Sequence, residues 1–288
     1  MQRGPQLQRQ SGDDFDADGM ATADPAELIS FRQRCDLAEP PFMHPADREV
    51  LERHSEYTDT KAKKDFEAFV KSSLFGDFND QRFHLSLIPS PYVGDLRIAD
   101  IFVLSLNPGL SFEDYYAEMC VPKFRERLEK TLIQDLRGVE FPFMFLDPDF
   151  CWHGGFRWWE RKLRRVIKMI ADNKFNGRYL DALRDISKRL ASLELIPYHS
   201  ASFGANSLIR RLPSAQEIKR FAQAALAQDA QQAVKTIVVI RRARDWDLHP
   251  KSINLVRYEG PAEAQAARLD PKSTGGKAIL GRYGISTD

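Results

Sequence analysis

Leu106-Asn107-Pro108-Gly109-Leu110-Ser111 is the segment whose residue types are best arranged for chemistry. Pro and Gly stop the apolar run before it sharply, project Asn107 and leave backbone N–H groups open at the turn. An Asn side chain offers one acceptor oxygen and two donor hydrogens. It can orient a water without being a strong base, hold the edge of a polar ligand, or simply organise its own turn. Arg241, Arg242 and Arg244 follow another apolar run and suit contact with phosphate or an anionic ligand. Trp152-His153-Gly154-Gly155 reads as a flexible aromatic loop able to stack on an unpaired base. Arg161, Lys162, Arg164, Arg165 and Lys168 interleave with Leu163, Val166, Ile167 and Ile170. That pattern fits a solvated helix face, or a face touching phosphates. His153, His199 and Asp149 lack the spacing of a metal site, and Cys35, Cys120 and Cys151 contain no C-x-x-C pair.

The elements that must position these residues alternate in period. Residues 98–106, 193–198, 236–240 and 252–256 are short apolar runs, expected as strands. Helical pattern occupies 45–74, 124–136, 157–169 and 215–235. Asp24-Pro25 has the form of a helix start, with Asp as cap and Pro at the first position. Strands separated by helices imply crossover connections and a mostly parallel sheet buried on both faces. In such sheets ligands bind beyond the carboxyl ends of the strands. Asn107, Tyr198, Arg241 and Arg257 all fall there. Residues 1–25 are rich in Gln, Asp and Gly and read as a tail, so one α/β domain with a helical N-terminal extension is expected over 26–288.

The run from Val103 to Ser111, VLSLNPGLS, resembles the first motif of the uracil-DNA glycosylase superfamily. It is closest to the mismatch-specific uracil/thymine branch, whose version reads G-I-N-P-G-L-S. Phe141-Pro142-Phe143, followed by Phe156-Arg157-Trp158-Trp159, is similar to that branch's F-P-F and N-R-F-W segments. Thr236 to Ala243 is placed like its V-V-x-x-G-x-x-A strand. The resemblance covers roughly residues 98–256 and implies a three-layer α/β/α fold that flips a base out of DNA and hydrolyses its glycosidic bond. Asn107 would position the water, Phe143 or Phe141 would stack on the base, and Leu106, Pro108, Gly109 and Tyr198 would border it. His199 would donate to a base oxygen or cap the segment that follows. Arg241, Arg242, Arg244, Arg257 and Tyr258 would face the DNA. No cofactor is implied, and the phage-defence members of the superfamily, which remove bulky modified cytosines, suggest a modified base.

Three departures qualify that resemblance. Residues 112–140 form an insert carrying Asp114, Tyr115, Tyr116 and Lys123. Tyr198-His199-Ser200 stands where many relatives read the base with an Asn. Arg257-Tyr258-Glu259-Gly260-Pro261 replaces the relatives' His-Pro-Ser or Asn-Pro-Ser loop, so the leaving-group His is missing. A binding module without catalysis and a nucleoside hydrolase or transferase are the rival expectations.

Composition bounds these readings. Across 288 residues, 42 Lys and Arg against 41 Asp and Glu leave a net charge of +1, so any grip on nucleic acid must come from a local patch. A mean hydropathy of −0.44 and the lack of a long apolar stretch exclude a membrane-spanning helix from the expectation. A monomer in a reducing cytoplasm, with DNA as its partner, is the expected setting.

Overall fold

The computed structural model describes residues 25–59, 61–232, 235–248 and 254–287. Residues 1–24 of the expected tail, the Asp24 cap included, lie outside them, and Pro25 opens the first helix. In chain order the elements are α1 (Pro25–Arg32), α2 (Arg48–Arg53), β1 (Thr58–Asp59), α3 (Phe66–Val70), β2 (Phe83–His84), β3 (Tyr92–Val93) and β4 (Ile101–Ser105). There follow α4 (Phe112–Cys120), α5 (Pro122–Ile133), α6 (Gly154–Lys174), α7 (Tyr179–Arg189), β5 (Leu190–Glu194) and α8 (Pro213–Gln232). The chain ends with β6 (Thr236–Val239), β7 (Leu255–Arg257), α9 (Pro261–Ala266) and α10 (Thr274–Gly281).

The central sheet has the order β3-β5-β4-β6-β7. β5, β4, β6 and β7 run parallel, and β3 joins β5 antiparallel. Side chains alternate across it as the pleat requires. Ile101, Val103, Leu190 and Val238 share one core with Leu163, Val166 and Ile167 of α6 and Ile186 of α7. Phe102, Leu104, Ala191 and Ile237 share the other with Ile218 and Ala222 of α8. Each of the Val, Leu, Ile and Phe side chains among them, fully buried, contributes roughly 1.5–3 kcal/mol. The near-continuous apolar character of β4 follows from this burial on both faces.

Several boundaries differ from the sequence reading. The expected 45–74 helix is broken: α2 stops at Arg53, and Thr58 and Asp59 pair instead with Phe83 and His84. The strand expected at 193–198 lies at Leu190–Glu194, in register with Ile101–Ser105; the Ile196 N–H still reaches the Leu106 carbonyl, and Pro197 has no N–H to carry the ladder further. α6 begins three residues before Arg157, since the His153 side chain accepts from the Gly155 N–H and caps it. The Trp152–Gly155 run is therefore a turn and a helix start, not a flexible loop. The expected 252–256 strand begins at Leu255, and residues 251–253 are outside the described set.

The N-terminal extension is fastened by a buried polar chain. Arg32 donates to the Ser214 hydroxyl at 2.8 Å and to its carbonyl at 2.9 Å. Asp47 accepts from the Ser214 N–H at 2.9 Å and from the Tyr198 hydroxyl at 2.6 Å, and that hydroxyl accepts from the His44 N–H at 3.1 Å. Replacing Asp47 with Ala leaves two buried donors without acceptors. A loss of about 2–4 kcal/mol in urea unfolding is expected; a loss below about 0.5 kcal/mol contradicts this account.

Candidate functional site

A cavity of about 280 Å³ opens where β4 and β5 end. That is just below the roughly 300–1,000 Å³ of pockets for drug-sized ligands, a size for one small heterocycle. Its walls include Ser105 of β4 and Asn107 after it, Ser192 and Glu194 of β5, Asp114 of α4, and Phe145, His153, Gly155, Trp158 and His199.

The geometry around Asn107 fixes its amide. Nδ2 donates to the Pro108 carbonyl at 2.8 Å, the Ser200 hydroxyl at 2.9 Å and the Tyr198 carbonyl at 3.3 Å. Two carbonyls can only accept, so the nitrogen must face them, and Oδ1 is left as the free-standing acceptor. An acceptor held this way suits a water or an N–H of a ligand.

The insert supplies Asp114. Its Oδ2 accepts from the Ser111 N–H at the start of α4, and its Oδ1 lies 3.0 Å from His153 Nε2. His153 Nδ1 accepts from the Gly155 N–H, which turns Nε2 to the Asp114 side of the ring. Burial raises the Asp114 carboxyl, but the contacts with His153 and the nearby His199 outweigh it and hold it below the usual carboxylate range. His199 Nδ1 bonds the Gly109 carbonyl at 2.8 Å, tying the motif turn in place. Burial holds His199 below the ordinary imidazole range, against the pull of Asp114. His199 Nε2 is buried without a hydrogen-bond partner. Donation to a base oxygen, as expected from sequence, would need the charged ring that burial opposes.

Glu194 escaped the sequence reading. It stands opposite Ser105 in the parallel β4–β5 register, and its Oε2 is buried without a hydrogen-bond partner. Burial pushes its carboxyl up to about 8, with Ser105 and Arg241 opposing. The available signal was the i, i+2 pair Ser192 and Glu194 inside an apolar run, two polar side chains on one face of a buried strand.

The other expected residues divide sharply. Pro108 and Gly109 line the cavity, whereas Leu106 turns into the opposite core. Phe143 is fully buried and packs edge-on against Trp159, with centroids 4.9 Å apart. Phe141 lies in the same core beneath Arg184. Neither forms the wall, because the short turn at Met144–Leu146 carries the next aromatic, Phe145, into it. Phe145 stacks on His153 at 5.7 Å and 6°, and a Cβ on Gly155 would come within 2.6 Å of its ring. The Tyr198 ring is buried against Phe83 and serves the cavity only through its carbonyl. Tyr258 is buried beneath α10, where its hydroxyl accepts from the Gly275 N–H at 3.2 Å, so it cannot face DNA.

The cations divide likewise. Arg242 is taken up by Asn206 and Asp245, and Arg257 by Glu259. Arg164 and Lys168 pair along α6 with Glu160 and Asp172, the solvated face. Arg165 and Arg244 are exposed. Lys162 lies 5.3 Å over the Trp158 ring at the cavity wall. Burial lowers its ammonium, and the charges of Arg161, Arg241 and Arg268 add to that effect. Arg268 was not anticipated. Of the residues weighed for a metal, Asp149 pairs with Lys123 instead. Among the described residues no group of three or more His, Cys, Asp or Glu is placed to hold a metal ion. None of their helices is long and apolar enough to cross a membrane.

Fold and site together define a mixed α/β protein with a mostly parallel sheet and an acid- and imidazole-lined cavity at its carboxyl edge. No protein-family model, curated protein or solved structure matches the chain.

Glu194 makes stability depend on pH with a definite sign. Its unfolded carboxyl ionises near 4.5, but the folded one keeps its proton to about 8. Wild-type stability therefore falls as pH rises through that window, whereas Gln at 194 carries no such term. Urea midpoints should show the advantage of Glu194→Gln over wild type growing from about pH 5 to pH 8 and flattening above. A pH-independent difference would contradict a buried neutral carboxyl.

Proposed function

We propose that this protein is a DNA glycosylase of the uracil-DNA glycosylase type, acting on a flipped pyrimidine. The carrying observation is the Asn107 amide, pinned through its nitrogen by Pro108, Tyr198 and Ser200 at the mouth of a cavity sized for one base. Helix α6 packs on one face of the sheet and α8 on the other, and this supports the three-layer arrangement of that superfamily.

In this reading Asn107 Oδ1 holds the water that attacks the sugar carbon as the base departs through an oxocarbenium-like state. The ionised Asp114 supplies a negative charge in the same cavity, favouring the developing cation. The Phe145 ring offers the stacking face, fixed from behind by His153. Arg161, Lys162, Arg241 and Arg268 meet the phosphates flanking the flipped nucleotide, a local patch that the near-zero net charge requires. The phage-defence setting and a modified base remain part of the proposal.

Mass spectrometry of free bases released from genomic DNAs carrying different modifications tests the activity directly. Asn107→Ala should slow single-turnover release on the order of 10²-fold with DNA affinity nearly unchanged. A mutant that releases base at the normal rate removes Asn107 from the mechanism. Arg161→Ala should lower the slope of log affinity against log salt by about 1, uniformly across sequences; an unchanged slope moves the DNA path elsewhere.

A further inference from the structure

We infer that Glu194, at the end of β5 with an unpartnered buried oxygen on the cavity wall, selects the bound heterocycle by pairing its carboxyl with two adjacent groups on one edge of the ring. This rests on the reading of the cavity as a base pocket and names what that pocket recognises.

The placement argues for it first. Glu194 ends β5 with Ser192 two residues before it, and both side chains line the cavity. Its Oε2 is buried and makes no hydrogen bond within the protein. Buried polar groups in native proteins are almost always paired, so an orphan aimed into a cavity points to a partner on the ligand. The charges around it set its form. Arg241, on the loop after β6, favours ionisation, but burial outweighs it. Asp114 of α4 already holds a negative charge in the same wall, with His153 Nε2 3.0 Å from it. His199 is tied through Nδ1 to the Gly109 carbonyl, and Nε2 of both rings is buried without a hydrogen bond.

A neutral carboxyl presents an O–H donor beside a C=O acceptor, whereas a carboxylate only accepts. The neutral form complements the adjacent N–H and C=O of a uracil-like ring, or the ring N and amino group of a cytosine-like one. The ionised form completes neither pair. The ligand class is therefore a neutral pyrimidine with an unsubstituted N3 edge. A substituent at C5 is not part of that edge, so it meets only the cavity volume.

Isothermal titration of the full chain with free uracil, cytosine and N3-methyluracil tests this. Near neutral pH, uracil and cytosine should bind, and N3-methyluracil at least about tenfold more weakly, since a site built to bond an edge rejects the blocked edge. Above about pH 8 the affinity for uracil should fall by up to tenfold per pH unit as the carboxyl ionises. E194Q keeps a donor and an acceptor, so its affinity near neutral pH should stay within a fewfold and its alkaline fall should shrink. E194A should bind at least about tenfold more weakly throughout.

The inference is overturned if E194Q binds as weakly as E194A, if N3-methyluracil binds as well as uracil, or if no base binds. It is overturned too if the alkaline fall persists unchanged in E194Q, because the fall then belongs to ionisation of the ligand's own ring N–H. Base release from DNA, measured in parallel, separates the two proposals. The expected binding pattern without release overturns the glycosylase reading alone. Release that is indifferent to E194A overturns the edge-reading role alone.

Discussion

The parallel register between β4 and β5 decides where every polar group of the cavity falls. Ile101 lies opposite Leu190 and Ser105 opposite Glu194, so the two strands end side by side. Past that point the ladder continues loosely, with the Ile196 N–H on the Leu106 carbonyl at 2.8 Å. That bond holds the segment leading to Tyr198 and Ser200 beside Asn107, where they fix its amide. A shift of one residue would turn Glu194 and Ser192 to the α8 side of the sheet and put two polar groups into an apolar core. The hydrophobic alternation on both faces thus protects the site as well as the fold.

Two acids in one cavity meet opposite fates for identifiable reasons. Asp114 has the His153 ring at 3.0 Å and the Ser111 N–H to stabilise its charge, so it stays ionised despite burial. Glu194 has only Ser105 and a more distant Arg241 against the same cost, so it keeps its proton. Separating the titrations of neighbouring groups in this way gives one small site both a fixed anion and a neutral hydrogen-bonding acid. The capping of α6 contributes directly, because His153 uses Nδ1 for the helix and only then presents Nε2 to Asp114.

The N-terminal extension and the insert both reach the cavity, by different routes. The insert does so covalently close at hand, since Asp114 lies one helical turn after the motif. The extension acts through Asp47, whose bond to the Tyr198 hydroxyl anchors the same residue whose carbonyl holds Asn107. Tyr115 of the insert turns away, stacking on Phe69 at 3.7 Å, and Tyr116 stays near the surface.

By itself the sequence determined the strand–turn at Asn107, the crossover pattern and the parallel sheet, because period, Pro and Gly act locally. The identity of Asn107, Pro108 and Gly109 as cavity residues was legible for the same reason. Tertiary structure alone decided between Phe143 and Phe145: both are aromatic, and only the turn after Phe143 determines which ring faces the core. It decided that Tyr258 is buried, since α10 closes over it from residues far along the chain. It also created the chemistry of Glu194, an ordinary exposed-type acid in the sequence. Its proton is held by low-dielectric surroundings assembled from β4, β5 and the loops beyond them, and no local pattern of residues encodes a desolvation energy.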